Sequence, residues 1–140
     1  MTVTSEATAV WKGGLLDGSG RVALQSSGKG TFDVTWKARS EGSTSVTTPE
    51  ELLAAAHSSC FNMAFALALA ENGTPPESID TTASVTFTPG TGITGSHLNV
   101  NAVVPGLERE DFDRMAENAK VNCPVSQALA IEITLEATLA

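Results

Sequence analysis

The stretch from Thr48 to Asn72 constrains the rest of this chain most. It reads TPEELLAAAHSSCFNMAFALALAEN, and both of its ends carry helix punctuation. Thr48 suits an N-cap, and Pro49 suits the first helical position, where no N–H is needed. Glu51 stands three residues after Thr48 and makes a capping box. Asn72-Gly73 supplies a left-handed stop, with Pro75 and Pro76 just beyond. The alanines and leucines between are good helix formers. From Cys60 to Ala70 the apolar residues run almost all round, which predicts a helix buried on most sides. Length and a polar start argue against a membrane span. Cys60 sits at its middle.

A chain of 140 residues, 41% hydrophobic, is sized for one domain, residues 1–140. Its net charge of −8 argues against nucleic acid or an anionic membrane as partner. The start, Met1-Thr-Val-Thr-Ser-Glu6, has neither a basic region nor an apolar run and is no signal peptide, so a cytoplasmic location is expected. Structural disulfides are rare there. The two cysteines are then either inert core residues or a reactive pair.

The remaining elements follow from periodicity and turn residues. Strands are expected over Thr4–Trp11 and Arg21–Gln25, paired as a hairpin through the Gly13–Gly20 turn. Thr31–Trp36 reads as extended, and Arg39–Thr47 as an ordered loop leading into the long helix. Beyond that helix, strands are expected at Ser78–Thr88, Ser96–Val104 and Ile131–Leu139, and helices at Glu108–Ala119 and Asn122–Leu129. Two blocks of strands with helices between them give an α+β fold rather than a parallel α/β one.

Chemistry points to the thiols. Cys123 directly precedes Pro124 and so should be an N-cap, where the helix dipole and free N–H groups favour a thiolate. Cys60 lies about three turns into its helix and needs a separate cation. Arg39 is one candidate, Arg21 another; each is equally readable as a solvated charge. Glu50, Leu53, His57 and Cys60 fall on one helical stripe, so Glu50 can hold an arginine over it. His57, one turn before Cys60, is either its base or a satisfied core residue. His97 opens a strand. Two cysteines and two histidines show no tight metal-ligand spacing, and no phosphate loop, nucleophile elbow or dinucleotide fingerprint is present.

Four stretches together resemble the OsmC/Ohr family of thiol peroxidases: Thr48-Pro-Glu-Glu-Leu-Leu-Ala-Ala-Ala-His-Ser-Ser-Cys-Phe61, Ser78-Ile-Asp-Thr-Thr-Ala83, Val104-Pro-Gly106 and Asn122-Cys-Pro-Val-Ser-Gln-Ala128. Order and spacing hold over nearly the whole chain. Ala-His-Ser-Ser-Cys-Phe61 and Cys-Pro-Val-Ser-Gln127 are similar to the OsmC branch. The loop Glu41–Thr47 departs from the family's common Gly-Thr-Asn-Pro-Glu form, with Thr47-Thr48 where Thr-Asn is usual. The resemblance implies an OsmC-like fold: two antiparallel strand blocks packed around a long central helix, in an intertwined homodimer. It implies a peroxidase in which Cys60 is peroxidatic, Cys123 resolves it by an intrachain disulfide, Arg39 activates Cys60, and Glu50 orients Arg39. In the Ohr branch the arginine comes from a turn nearer the N-terminus, which keeps Arg21 in reserve.

The reading is therefore a cytoplasmic enzyme that reduces organic hydroperoxides and, more weakly, hydrogen peroxide, using an external dithiol such as a lipoylated protein and no metal or other cofactor. The rival is a module that binds a small lipid-like molecule and whose thiols are bystanders. A dimer is expected on geometric grounds too. Ten residues of helix separate Glu50 from Cys60 by about 15 Å. One Arg39 side chain does not span that, so Glu50 of one chain is expected near Cys60 of a second.

Overall fold

Glycine-rich turns let the N-terminal third fold as an antiparallel meander. In the computed structural model, which describes residues 1–140, two compact units form, Met1–Leu52 and Leu53–Ala140. In the first, β1 (Thr8–Lys12), β2 (Ser19–Ala23) and β3 (Thr31–Val34) pair antiparallel in that order. Gly20 lies opposite Trp11, and a Cβ there would come within 2.6 Å of the indole ring. Only glycine leaves room for that cross-strand packing.

The expected loop at Arg39–Thr47 is partly helix. A short helix, α1 (Trp36–Glu41), carries Arg39 in its last turn. Thr35 starts it by accepting the Ala38 N–H at 3.1 Å, and Gly42, at φ 87°, ends it. Six residues show too little periodicity to betray a helix in sequence. Ala38 and Glu50 are the only buried residues of this unit, while Val10, Leu15 and Leu16 are exposed.

The long helix, α2, spans Pro49–Glu71. Thr48 Oγ1 accepts the Glu51 N–H at 3.1 Å, as a capping box requires. The Glu51 carboxylate, however, accepts from the Thr47 hydroxyl. At the far end Thr74 N–H donates to Leu69 O and Gly73 N–H to Ala70 O, both at 3.0 Å, with Gly73 at φ 81°. That is a Schellman stop.

The expectation of burial on most sides fails. Within the Leu53–Ala140 unit α2 buries one stripe, His57, Phe61, Phe65 and Leu69, and leaves Met63 72% and Leu67 61% exposed. A single sheet face can cover only one stripe of a helix. By length and hydropathy α2 is in fact sufficient to cross a membrane; its buried stripe instead forms the core of this unit.

That core rests on a second sheet, β4 (Ser78–Thr88), β5 (Gly92–Val103) and β6 (Glu132–Leu139), with β5 central. Leu98, Val100 and Ala102 of β5 are buried, and the flanking strands alternate half-buried with exposed residues. β4 and β5 are antiparallel, but β6 runs parallel to β5. The second block is thus mixed, not antiparallel. α3 (Arg109–Asn122) and α4 (Pro124–Ala128) lie in the connection and return the chain to the other end of the sheet. Phe65 stacks between Phe61 and Phe112 of α3, with ring centroids 5.5 Å apart on each side.

Candidate active site

Two groups of the expected site residues come together, each inside its own unit. Arg39 and Glu50 form the first. Arg39 Nε donates to Glu50 Oε1 at 2.9 Å, and Nη2 lies 2.8 Å from the same oxygen. Glu50 is 6% exposed. A buried carboxylate needs a charged partner, and this one has the arginine from α1. Beside Arg39 opens an apolar cleft of about 380 Å³, lined by Trp11, Leu15, Val34, Thr35, Trp36 and Pro49. Sequence reasoning passed over this cleft, because its two tryptophans lie on separate short elements. Arg21 pairs with Asp33 at 3.7 Å on an exposed sheet face, an ordinary solvated contact.

Cys60 and Cys123 form the second group. Both are free thiols; Cys60 is half-buried and Cys123 fully buried. Cys123 is the N-cap of α4, as expected, but makes no side-chain capping bond there. It packs in the same core cluster as Cys60 instead, close enough to perturb that thiol. Burial first, and then Cys123, push the Cys60 thiol above its ordinary range. The Val125 N–H, at the start of α4, opposes this by donating to Cys60. The helix start expected to activate Cys123 therefore also acts on Cys60, by one backbone donor, and does not outweigh the burial.

His57 is not a base for Cys60. Its Nδ1 lies 2.7 Å from Ser96 Oγ and its Nε2 2.8 Å from Ser126 Oγ, so both ring nitrogens are engaged. Burial lowers its pKa, which keeps the ring neutral. Ser96 and Ser126 were missed from sequence. One signal existed: Ser96 opens the buried face of β5, ahead of Leu98, Val100 and Ala102, where a lone hydroxyl needs a partner. His97 contacts Thr134 Oγ1 at 2.6 Å, away from the thiols in its hydrogen bonding. No three His, Cys, Asp or Glu side chains gather as a metal-ligand set.

A family model described as OsmC-like protein matches residues 41–138. The chain is 41% identical over 139 residues to Peroxiredoxin OsmC of Escherichia coli (strain K12), covering 97% of this chain and 96% of that protein. Its fold is similar to the organic hydroperoxide resistance protein OhrB of Bacillus subtilis, with a TM-score of 0.69 and 23% identity over 97% of this chain and 98% of that one. An OsmC-like protein of Vibrio cholerae superposes with a TM-score of 0.73 at 18% identity, over 98% and 100% of the two chains. At those identities the two structures speak to the fold alone. The family model and the near full-length identity agree, and the chain belongs to the OsmC-like protein family.

Proposed function

We propose that this cysteine-based peroxidase reduces organic hydroperoxides by a sulfenic acid–disulfide cycle. The Cys60 thiolate attacks the terminal peroxide oxygen; Cys60 becomes a sulfenic acid and the alcohol leaves. The Cys123 thiol then displaces water to form a disulfide within the chain, and an external dithiol, such as a lipoyl-type one, restores both thiols. The two thiols supply the electrons that reduce the peroxide, and the external dithiol returns them, so the cycle uses no metal, haem or flavin. The observation that carries this reading is the proximity of Cys60 and Cys123, 63 positions apart by number, which pack in one core cluster closely enough for Cys123 to perturb the Cys60 thiol. The 41% identical relative that is named a peroxiredoxin supports it.

Preference for organic over hydrogen peroxide rests on the cleft beside Arg39. Its lining is largely apolar and suits an alkyl or aryl tail, while the guanidinium holds the polar end. In this reading Arg39, held by Glu50, is also the cation that Cys60 needs. It acts from a second copy of the chain, because about 15 Å of helix separates Glu50 from Cys60 on one α2. The exposed Met63 and Leu67 of α2, and the exposed Val10, Leu15 and Leu16 of the first unit, are apolar surface that such a homodimer would cover. The two units are then parts of one OsmC-like domain, residues 1–140, working in the cytoplasm.

The test is a thiol count. Reduced protein is mixed with one equivalent of cumene hydroperoxide, and free thiols are titrated. Loss of both, with the intact mass of a monomeric disulfide, is expected. Retention of both thiols would instead mark a binding module and end the proposal.

A further inference from the structure

The buried stripe of α2 reads His57, Phe61, Phe65, Leu69. A leucine would continue it; a histidine there must be explained. His57 is 0% exposed, and its two nitrogens reach hydroxyls on two other elements, Ser96 of β5 at 2.7 Å and Ser126 of α4 at 2.8 Å. The three polar groups satisfy one another away from water.

Their placement relative to the thiols is regular. His57 and Cys60 are one turn apart on α2, and Ser126 stands three residues after Cys123. Two pairings therefore lie between α2 and the start of α4: Cys60 packed near Cys123, and His57 hydrogen-bonded to Ser126. Only the first pairing changes during the reaction. α4 has five residues, too few to hold a helix by its own hydrogen bonds. Its N-cap thiol makes no capping bond.

We propose that His57 is a positioning residue for the resolving step: its imidazole ties α4 to α2 and β5, and so keeps Cys123 beside Cys60 once Cys60 has been oxidised. This rests on the peroxidase reading above. In the step concerned, the Cys60 S–O bond breaks, the Cys123 sulfur forms the S–S bond, and the hydroxyl leaves as water with the Cys123 proton. If α4 drifts, the sulfenic acid waits for a second hydroperoxide. That molecule oxidises it to sulfinic acid and is itself reduced to alcohol.

The experiment separates the two steps in single turnover of the full chain with cumene hydroperoxide. Sulfenic acid formation is read by dimedone trapping, and disulfide and sulfinic acid by peptide mass spectrometry. Ser126→Ala should form the sulfenic acid at a rate close to wild type. It should form the disulfide about tenfold more slowly, as loss of a buried hydrogen bond implies, and accumulate sulfinic acid at Cys60. Ser126→Thr, which keeps the hydroxyl, should restore the disulfide rate. Ser96→Ala, at the other nitrogen, should show the same split if the imidazole is the anchor. Disulfide formation at the wild-type rate in folded Ser126→Ala would overturn the inference. So would equal slowing of both steps, which a general structural loss would give. A wild-type chain that never forms the sulfenic acid would overturn the peroxidase reading instead, so the two failures are distinct.

Discussion

Cys60 and Cys123 differ in exposure and in what surrounds them, and those differences assign their expected behaviour. Cys60, half-buried, can be reached by a substrate, whereas Cys123 is fully buried. Cys60→Ser should therefore lose turnover of cumene hydroperoxide altogether, since a hydroxyl is a poor nucleophile at neutral pH. Cys123→Ser should consume one equivalent and stall, with sulfinic acid at Cys60 in the peptide mass spectrum. Burial holds the Cys60 thiol above its ordinary range, so its reaction should quicken as pH rises and the thiolate fraction grows. If Arg39 offsets that burial, Arg39→Ala moves the inflection of the rate–pH profile upward, with about tenfold less thiolate at neutral pH for every pH unit it climbs. Stopped-flow rates between neutral and alkaline pH check this. An unmoved inflection would release Arg39 from the role and return attention to Arg21.

At the scale of elements, α2 contributes both the core of its unit and one of the thiols. Phe65 is fully buried between Phe61 and Phe112. Phe65→Ala should cost roughly 3–5 kcal/mol in urea unfolding, with little change in the slope. A loss below about 1 kcal/mol would mean that this ring stack does not carry the core. His57 ties α2 to β5 and α4 in its neutral form. Its folded pKa lies below its unfolded value, so the unfolded chain binds the extra proton. Stability should therefore be complete above the ordinary histidine range and fall as pH drops through it. The slope from one proton is at most about 1.4 kcal/mol per pH unit. His57→Gln should lack this component when both proteins are unfolded at pH 5 and pH 7.5. An identical pH dependence in the two would assign the slope to other groups.

For the whole molecule, the expected state is a homodimer. Sedimentation of the reduced protein at micromolar concentration should give twice the 14.4 kDa chain mass, and a stable, active monomer would end the idea. The stronger test mixes a Cys60→Ser chain with a Glu50→Ala chain in one dimer. If Glu50 acts across the interface, one site carries both lesions and the other neither, so about half the activity survives. If it acts within its own chain, each site carries one lesion, and activity falls to that of an impaired Glu50→Ala site. Covering the exposed Trp11, Met63 and Leu67 would also raise the unfolding midpoint with protein concentration.

Some features of this protein are local, and its sequence determined them. The limits of α2 depend on Thr48 at one end and Gly73 at the other, each bonding within a few residues. β4 runs from Ser78 to Thr88 as its pattern predicts, and Pro124 places Cys123 at an N-cap. The stretches around Cys60 and Cys123 were specific enough to indicate the family. α1 escaped notice because its cap, Thr35, and its first residue, Trp36, lie in a stretch that reads as extended. The direction of β6 and the partners of His57 were not legible, and the meeting of the two thiols was implied by the family resemblance alone. β6 alternates equally well in either direction, so only the α3–α4 crossover decides that it runs parallel to β5. Ser96 and Ser126 lie 39 and 69 residues from His57, and no periodicity encodes a bond across such a span. Those choices belong to tertiary structure, where buried polar groups take whichever partners the packed elements bring within reach.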